Sequence, residues 1–366
     1  MTQDASIRSL LTVIITTSPT PSAPSTELIT SIIDSFDRHC PALLACSVIV
    51  VFDTFDQIVP TARLKKGQVT PQQAADFDAY KRNVKDLILA RCSRGVSTAE
   101  CTHQDAVAEY GGPHDPQNEV AYTMSQTLDK QVSFLEPSRR LGFGLAVRSA
   151  LRIVQTPHVW VQQHDWALVA DIPIQPLLRI MQTHESDPTA PIKYVCLSAV
   201  RMLSYAVSAD VRRFPTLREL SATLTREYQV PSDPSVKLPL TPMFFWHDKP
   251  HIASTKHYLE RVFPTRLAML RGDFIEDKIG QRARAQMKDG MWSKWATWLY
   301  YPANGKQLCL RHLQGRTWEG TTREADRAAM WRQKNAASKI SEKATRDEMC
   351  EMPDLSLCLK EDTDSE

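Results

Sequence analysis

Several short constellations in this 366-residue chain join polar side chains to apolar runs that would deliver them to a common edge. Thr16, Thr17 and Ser18 close the run SLLTVIITT, and Asp53 closes CSVIVVFD. Hydroxyls and a carboxylate at adjacent strand ends can hydrogen-bond a base and a ribose, or can cap and turn the segments that follow. In LGFGLAVRSA, Gly142 and Gly144 open a helix with Arg148 one turn further in. Close backbone approach and an arginine near a helix start suit a phosphate, with a helix-packing glycine pair as the alternative.

The run HVWVQQ leads into His164, Asp165 and Trp166. An imidazole and a carboxylate together can hold a divalent metal, which neutralises a diphosphate; the alternative is a hydrogen-bonded turn. In RGDFIEDKIGQ, Asp273, Glu276 and Asp277 crowd a helix start, where the helix dipole favours acids as caps. Phe274, Ile275 and Ile279 flank the last two, which suggests a partly buried carboxylate pair, a setting that suits a general base. His312 lies between Arg311 and Arg316, and Trp246 leads into His247, Asp248 and His251. The aromatic groups Phe244, Phe245, Trp246 and Trp292, Trp295, Trp298 either stack on sugar faces or fill a core.

The elements that position these groups alternate. Strands are expected over 9–17, 46–53, 131–136 and 158–163. Between them lie a helix capped by Ser25 or Thr26 with Leu28, Ile32, Ile33 and Phe36 on one face, a helix over 70–92, and a helix over 141–155. Residues 96–130 read as a polar, irregular insertion. The second half offers strands at 192–200 and 240–248 and helices starting at Ser254 and over 273–290. Strand, helix, strand repeated in this way is the grammar of an α/β fold with right-handed crossovers, whose ligands bind beyond the carboxyl ends of the strands.

Composition sets limits. With 42% hydrophobic and 23% charged residues the chain reads as an ordinary soluble protein, and a net charge of +2 argues against a nucleic-acid footprint. Residues 345–366 hold eight acids against Arg346 and Lys360, so the tail carries −6 and residues 1–344 carry +8. That tail reads as solvated and disordered. The eight cysteines show no CxxC pair, which favours reduced buried thiols over zinc or disulfides. No apolar run reaches the roughly 18–20 residues of a membrane span, and the N-terminus lacks a signal-peptide pattern, so a cytoplasmic, soluble protein is expected.

Taken in order, VIITTSPTPS, Asp53, LGFGLAVRS, VWVQQHDW, the Ile275-Glu276-Asp277 motif and His312 resemble the GT-A fold glycosyltransferases of the family 2-like, inverting group, over roughly residues 9–320. The resemblance implies a Rossmann-type, mostly parallel central sheet flanked by helices, with an elaborated acceptor-side C-terminal half. With no internal repeat or clear linker, one domain is expected over 1–344, with a nucleotide-sugar-binding half at 9–165, an acceptor-side half at 166–320 and a helical extension at 321–344. The resemblance further implies a hexosyl- or pentosyltransferase that moves sugar from a UDP- or GDP-sugar to a glycan or glycoconjugate hydroxyl with Mn²⁺ or Mg²⁺. Carried over to this chain, Thr16, Thr17, Ser18, Asp53, Gly144, Arg148, Gln163, His164 and Arg316 would face the donor, with Asp53 reading the base. Asp165 and His312 would hold the metal, Asp277 with Glu276 would supply the base, and Trp246, His247 and Asp248 would meet the acceptor. Two departures stand out: Gln163-His164-Asp165 replaces the family's Asp-x-Asp, and Arg148-Ser149 replaces its common Arg-Asn. The rival readings are a nucleotidyltransferase, disfavoured by a first strand without a glycine-rich basic loop, and a non-catalytic sugar-nucleotide or protein-binding module.

Overall fold

Strands covered on both faces need continuous apolar runs, and the two longest such runs lie at the centre of the protein. A computed structural model describes residues 6–92, 101–115, 117–231, 233–327 and 329–333. The first half contributes β1 (Leu11–Thr17), β2 (Ser47–Phe52), β3 (Gln57–Ile58), β4 (Gln68–Val69), β5 (Thr102–Glu109), β6 (Glu119–Gln126), β7 (Val132–Pro137) and β8 (His158–Gln163). The second contributes β9 (Trp166–Leu168), β10 (Tyr194–Cys196), β11 (Arg226–Val230), β12 (Asp233–Pro242), β13 (His251–Ser254), β14 (Thr297–Tyr300) and β15 (Leu310–His312).

Eleven of these strands form one sheet in the order β11-β12-β14-β10-β13-β8-β1-β2-β7-β6-β5. Strands β8, β1, β2 and β7 are mutually parallel, and only β6, β12 and β13 oppose the common direction. The sheet is therefore mixed but mostly unidirectional, and it runs through both sequence halves. Every residue of β1 is buried, and so are Val48 through Phe52 of β2. The helix Glu27–His39 buries Leu28, Ile32, Ile33 and Phe36, the expected face, and Phe36 meets Trp160 of β8 edge to face at 6.2 Å.

Five expectations need correction. Within the supposed irregular insertion, β5 and β6 pair over eight residues each, from Thr102↔Gln126 to Glu109↔Glu119. Most of β5 is exposed and β6 alternates, so polar solvent-facing residues hid the hairpin. The strand expected over 240–248 ends at Pro242, and that over 192–200 shrinks to Tyr194–Cys196. The helix expected over 141–155 is Phe143–Leu151, buried at every residue. The helix expected over 273–290 begins as a π-helical turn, Glu276–Gly280, before Gln281–Lys288.

Trp246, Trp292, Trp295 and Trp298 are all buried core residues. The six described cysteines are free thiols, five of them buried; Cys350, Cys358 and the acidic tail 345–366 lie outside the described residues. Residues Met1–Trp318 make one compact unit. The second unit, Glu319–Glu366, is helical over its described residues 321–327 and 329–333. No helix among the described residues is long and apolar enough to cross a membrane.

Gly142 ties the two halves of the large unit together. Its φ is +81°, and a Cβ there would lie 2.5 Å from the Cα of Gly272, where the Gly272 amide already donates to the Leu141 carbonyl at 2.7 Å. Gly142→Ala is expected to cost about 2 kcal/mol or more in urea unfolding. Gly112→Ala, with nothing within 4 Å of its Cβ, should stay within about 0.5 kcal/mol; equal midpoints for the two variants would contradict this close approach.

Candidate active site

Parallel pairing aligns Thr16 with Val51 of β2 and with Gln163 of β8, so Ser18, Asp53 and His164 emerge together at the carboxyl ends of three central strands. They open into a cleft of about 650 Å³. Thr16, Thr17, Gln163 and Asp165 also line it, as do the cations Lys65, Arg140, Lys249 and Arg316.

Asp53 is less available than expected. Its Oδ1 accepts the Leu141 amide at 2.6 Å, and both oxygens accept the Gly142 amide at 3.1–3.2 Å. Burial pushes its pKa up to about 6, against the pull of these amides and of Arg140. Asp53 thus fixes the 141–142 turn and presents only part of its carboxylate to the cleft. The glycine loop differs too. Gly144 sits against Met269, donates its amide to the Asp273 carbonyl at 3.1 Å, and does not line the cleft. Arg148 is buried and donates to the Glu109 carbonyl at 2.8 Å, at the end of β5, away from the cleft. The glycines serve loop packing, and Arg148 supports the hairpin.

His164 is committed through one nitrogen. Its Nδ1 lies 2.8 Å from Thr17 Oγ1 and accepts the Ser18 amide at 3.3 Å. A backbone amide can only donate, so Nδ1 is the acceptor and Nε2 carries the proton. Thr17 Oγ1 in turn meets the Tyr80 hydroxyl at 2.8 Å. Burial lowers the pKa of His164 and keeps it neutral. Held in this way, the Nδ1 lone pair is taken, and Thr17 faces His164 and Tyr80. Sequence reasoning missed Tyr80; its signal was the inner-face spacing Phe77, Tyr80, Val84 on the helix Pro71–Cys92.

Asp165 carries the open valence. Its Oδ2 accepts from His312 Nε2 at 3.0 Å and from the Gly315 amide at 3.1 Å, while the buried Oδ1 has no partner. Burial alone would raise its pKa, but His312, His164 and the Gly315 amide outweigh that and hold it low. The β9–β15 ribbon sets His312 opposite Trp166, with the rings stacked at 4.5 Å. Gly315 must be glycine, because a Cβ would lie 2.8 Å from His164 Nε2 and 3.0 Å from Asp165 Cβ. Asp165 and His312 are the side chains that would hold a Mg²⁺- or Mn²⁺-type ion, which would supply charge neutralisation for a phosphate, with Oδ1 the carboxylate oxygen left without a partner. Among the described residues no group of three or more His, Cys, Asp or Glu side chains could hold a metal alone.

Across the cleft, Glu276 and Asp248 clamp one another. The Asp248 amide donates to Glu276 Oε2 at 3.2 Å and the Glu276 amide to Asp248 Oδ1 at 3.0 Å. His247 Nδ1 (3.3 Å) and Lys249 Nζ (3.6 Å) crowd the same Oε2. Burial would raise Glu276, but its hydrogen bond with His247 and the Lys249 charge bring it down to about 2. Burial and then the Glu276 charge push Asp248 well above the carboxylate range, with its Oδ2 buried and unpartnered. Gln163 Nε2 holds the Asp248 carbonyl at 2.8 Å. Asp277, the next residue, is exposed and lines the cleft. Of the expected acceptor residues only Asp248 reaches the cleft lining. Trp246 is fully buried among Tyr194, Tyr258 and Trp295, and His247 turns to Glu276.

No protein-family model matches the chain, and no curated protein matches it. Among solved structures it is similar to a mannosyltransferase from Pyrobaculum calidifontis in complex with GDP-Man and Mn²⁺, at 14% identity and a TM-score of 0.36, covering 81% of this chain and 58% of that one. It is also similar to S. aureus TarS 1–349 (10% identity, TM-score 0.34, 69% and 48% covered). A third is GalNAc-T7 with UDP, GalNAc and Mn²⁺ (9% identity, TM-score 0.38, 75% and 40% covered). The chain thus spans 40–58% of the length of these three proteins. Likenesses this distant leave the cleft to be read from its own residues.

The buried titratable groups fix a pH response. Burial lowers the pKa of His158, His164, His247, His251 (to about 3) and His257 (to about 4) below their unfolded values. Their contribution is complete above about pH 6.5 and is lost as pH falls toward the folded values. Asp53 and Asp248, raised by burial, act in the opposite sense but are outnumbered. Denaturant midpoints should therefore fall as pH drops from 6.5 to 5.5, by up to about 1.4 kcal/mol per pH unit for each unbalanced histidine; midpoints that stay flat or rise over that drop would contradict buried neutral histidines.

Proposed function

We propose that this protein is a glycosyltransferase that moves a sugar from a nucleoside-diphosphate sugar to an acceptor hydroxyl with inversion at the anomeric carbon. The reading rests on one juxtaposition: the Asp165–His312 pair with its unpartnered buried Oδ1, four cleft cations, and the Asp277 carboxylate share a single cavity. A divalent ion held by Asp165 and His312 would neutralise charge on the leaving diphosphate. Arg316, set over the Phe274 ring at 5.4 Å, and Lys249, 5.9 Å from the Trp166 ring centroid, add positive charge from the protein.

Asp277 is the base. Its carboxylate takes the acceptor hydroxyl proton as the new carbon–oxygen bond forms and the bond from the anomeric carbon to the phosphate oxygen breaks. Attack from the face opposite the leaving group inverts the centre. Glu276 acts through position: its interlock with Asp248 and His247 fixes the turn from which Asp277 projects. The reduced protein ligand set at the metal favours a second reading, a module that binds sugar nucleotides without transferring them.

A panel of UDP- and GDP-sugars, assayed for transfer and slow donor hydrolysis with Mn²⁺ or Mg²⁺, tests the proposal. Asp277→Asn should lower kcat by about 10²–10⁴-fold while donor affinity changes less than about twofold. Undiminished turnover removes Asp277 from the base role. Donor binding without any turnover in the wild type selects the binding module, and no binding across the panel refutes both.

A further inference from the structure

We propose that Arg63, Lys66, Arg139 and Arg271 form a second anion site, for a phosphate or sulfate group, separated from the cleft by a thin partition. These four cations line a cavity of about 620 Å³ whose only acid among the described residues is Asp56. Asp56 is engaged by Arg271, which also donates to the Arg140 carbonyl at 3.1 Å. Arg63, Lys66 and Arg139 have no ion pair or side-chain hydrogen bond among the described residues.

The local chain explains why cations gather there. A 3-10 turn over Leu64–Lys66 ends at Gly67, whose φ of +69° closes it and whose Cβ would lie 2.7 Å from Arg140 Cδ. The Gly67 carbonyl accepts both the Asp56 and the Gln57 amides, at 2.7 and 3.1 Å, and Gln68 Nε2 bonds Gln57 Oε1 at 3.0 Å. The partition is therefore braced, and successive residues face different cavities. Lys65, Gly67 and Arg140 line the cleft, whereas Lys66, Gln68 and Arg139 line the second cavity.

Three unpaired cations beside an Arg–Asp pair repel one another, and an anion relieves that repulsion. Heads arriving from three separate segments need at least three acceptor oxygens and more than one negative charge. A tetrahedral phosphate or sulfate meets both needs, and guanidinium forks bind such oxyanions through paired N–H groups; a single carboxylate has too few oxygens. The exposure of Arg63, Lys66 and Arg139 makes the site salt-sensitive. The group could arrive as a free ion or as an ester on a saccharide.

Calorimetric titration of the full chain with inorganic phosphate tests the site independently of any transferase activity. The Arg63→Gln/Lys66→Gln/Arg139→Gln triple variant should weaken phosphate at least tenfold, while an Asp165→Ala/Arg316→Gln cleft variant keeps its affinity within twofold. Should the triple variant not fold by circular dichroism, Lys66→Gln and Arg139→Gln alone should each weaken phosphate at least threefold. Wild-type protein that takes up no phosphate, basic-site variants that bind as wild type, or a loss confined to the cleft variant would each overturn the proposal. A sulfated oligosaccharide compared with its desulfated parent then identifies the source. A preference for the ester that vanishes in the triple variant assigns a saccharide-borne group; phosphate binding with no such preference assigns a free ion, and both outcomes uphold the site.

Discussion

The in-register parallel pairing of β1 with β8 is the constraint on which the cleft depends. It brings Thr17 and His164, 147 residues apart in sequence, to the same level, and the 2.8 Å contact between them locks the two strand ends together. Because His164 is held by Nδ1, the next residue, Asp165, is fixed over the cleft. The peptide turn then continues into β9, whose pairing with β15 returns His312 and Gly315 to Asp165. A single ladder thus determines where the carboxylate with a spare oxygen sits. Tyr80 and Ser18 complete the arrangement by supplying the donors that the buried imidazole and hydroxyl need.

Four carboxylates around one cavity are set apart by their partners. Asp53 is raised by burial to about 6 although three amide contacts oppose it, and Asp248 is raised further by burial beside a charged neighbour. Asp165 and Glu276 experience burial too, yet histidine and lysine partners keep both low. A pKa held low keeps Asp165 and Glu276 ionised, which suits contacts with cations.

Much of this was legible because central strands announce themselves. The runs ending at Thr17, Phe52 and Gln163 are continuous and apolar, so the sequence alone assigns their polar successors to one edge. Asp165, next after one of these runs, lines the cleft, and His312 and Asp277 line it from elsewhere in the chain. What failed were inferences about side chains whose partners come from distant sequence. Arg148 finds Glu109 and Asp53 finds the 141–142 amides, contacts that no local pattern encodes. Trp246 looked available because it stands beside polar residues, yet Tyr194, Tyr258 and Trp295 enclose it. The β5–β6 hairpin was hidden for the opposite reason: a strand with one solvated face need not look hydrophobic.

On the proposed function, Asp165 and His312 would hold an ion only together with a diphosphate, since two protein ligands alone make a weak site. Electron paramagnetic resonance of free Mn²⁺, titrated with protein in the absence and presence of UDP or GDP, measures this directly. The account predicts little Mn²⁺ uptake by protein alone, strong uptake once the right nucleoside diphosphate is added beyond what nucleotide alone sequesters, and loss of that increment in Asp165→Ala. Nucleotide-independent uptake, or an increment that survives Asp165→Ala, would contradict it.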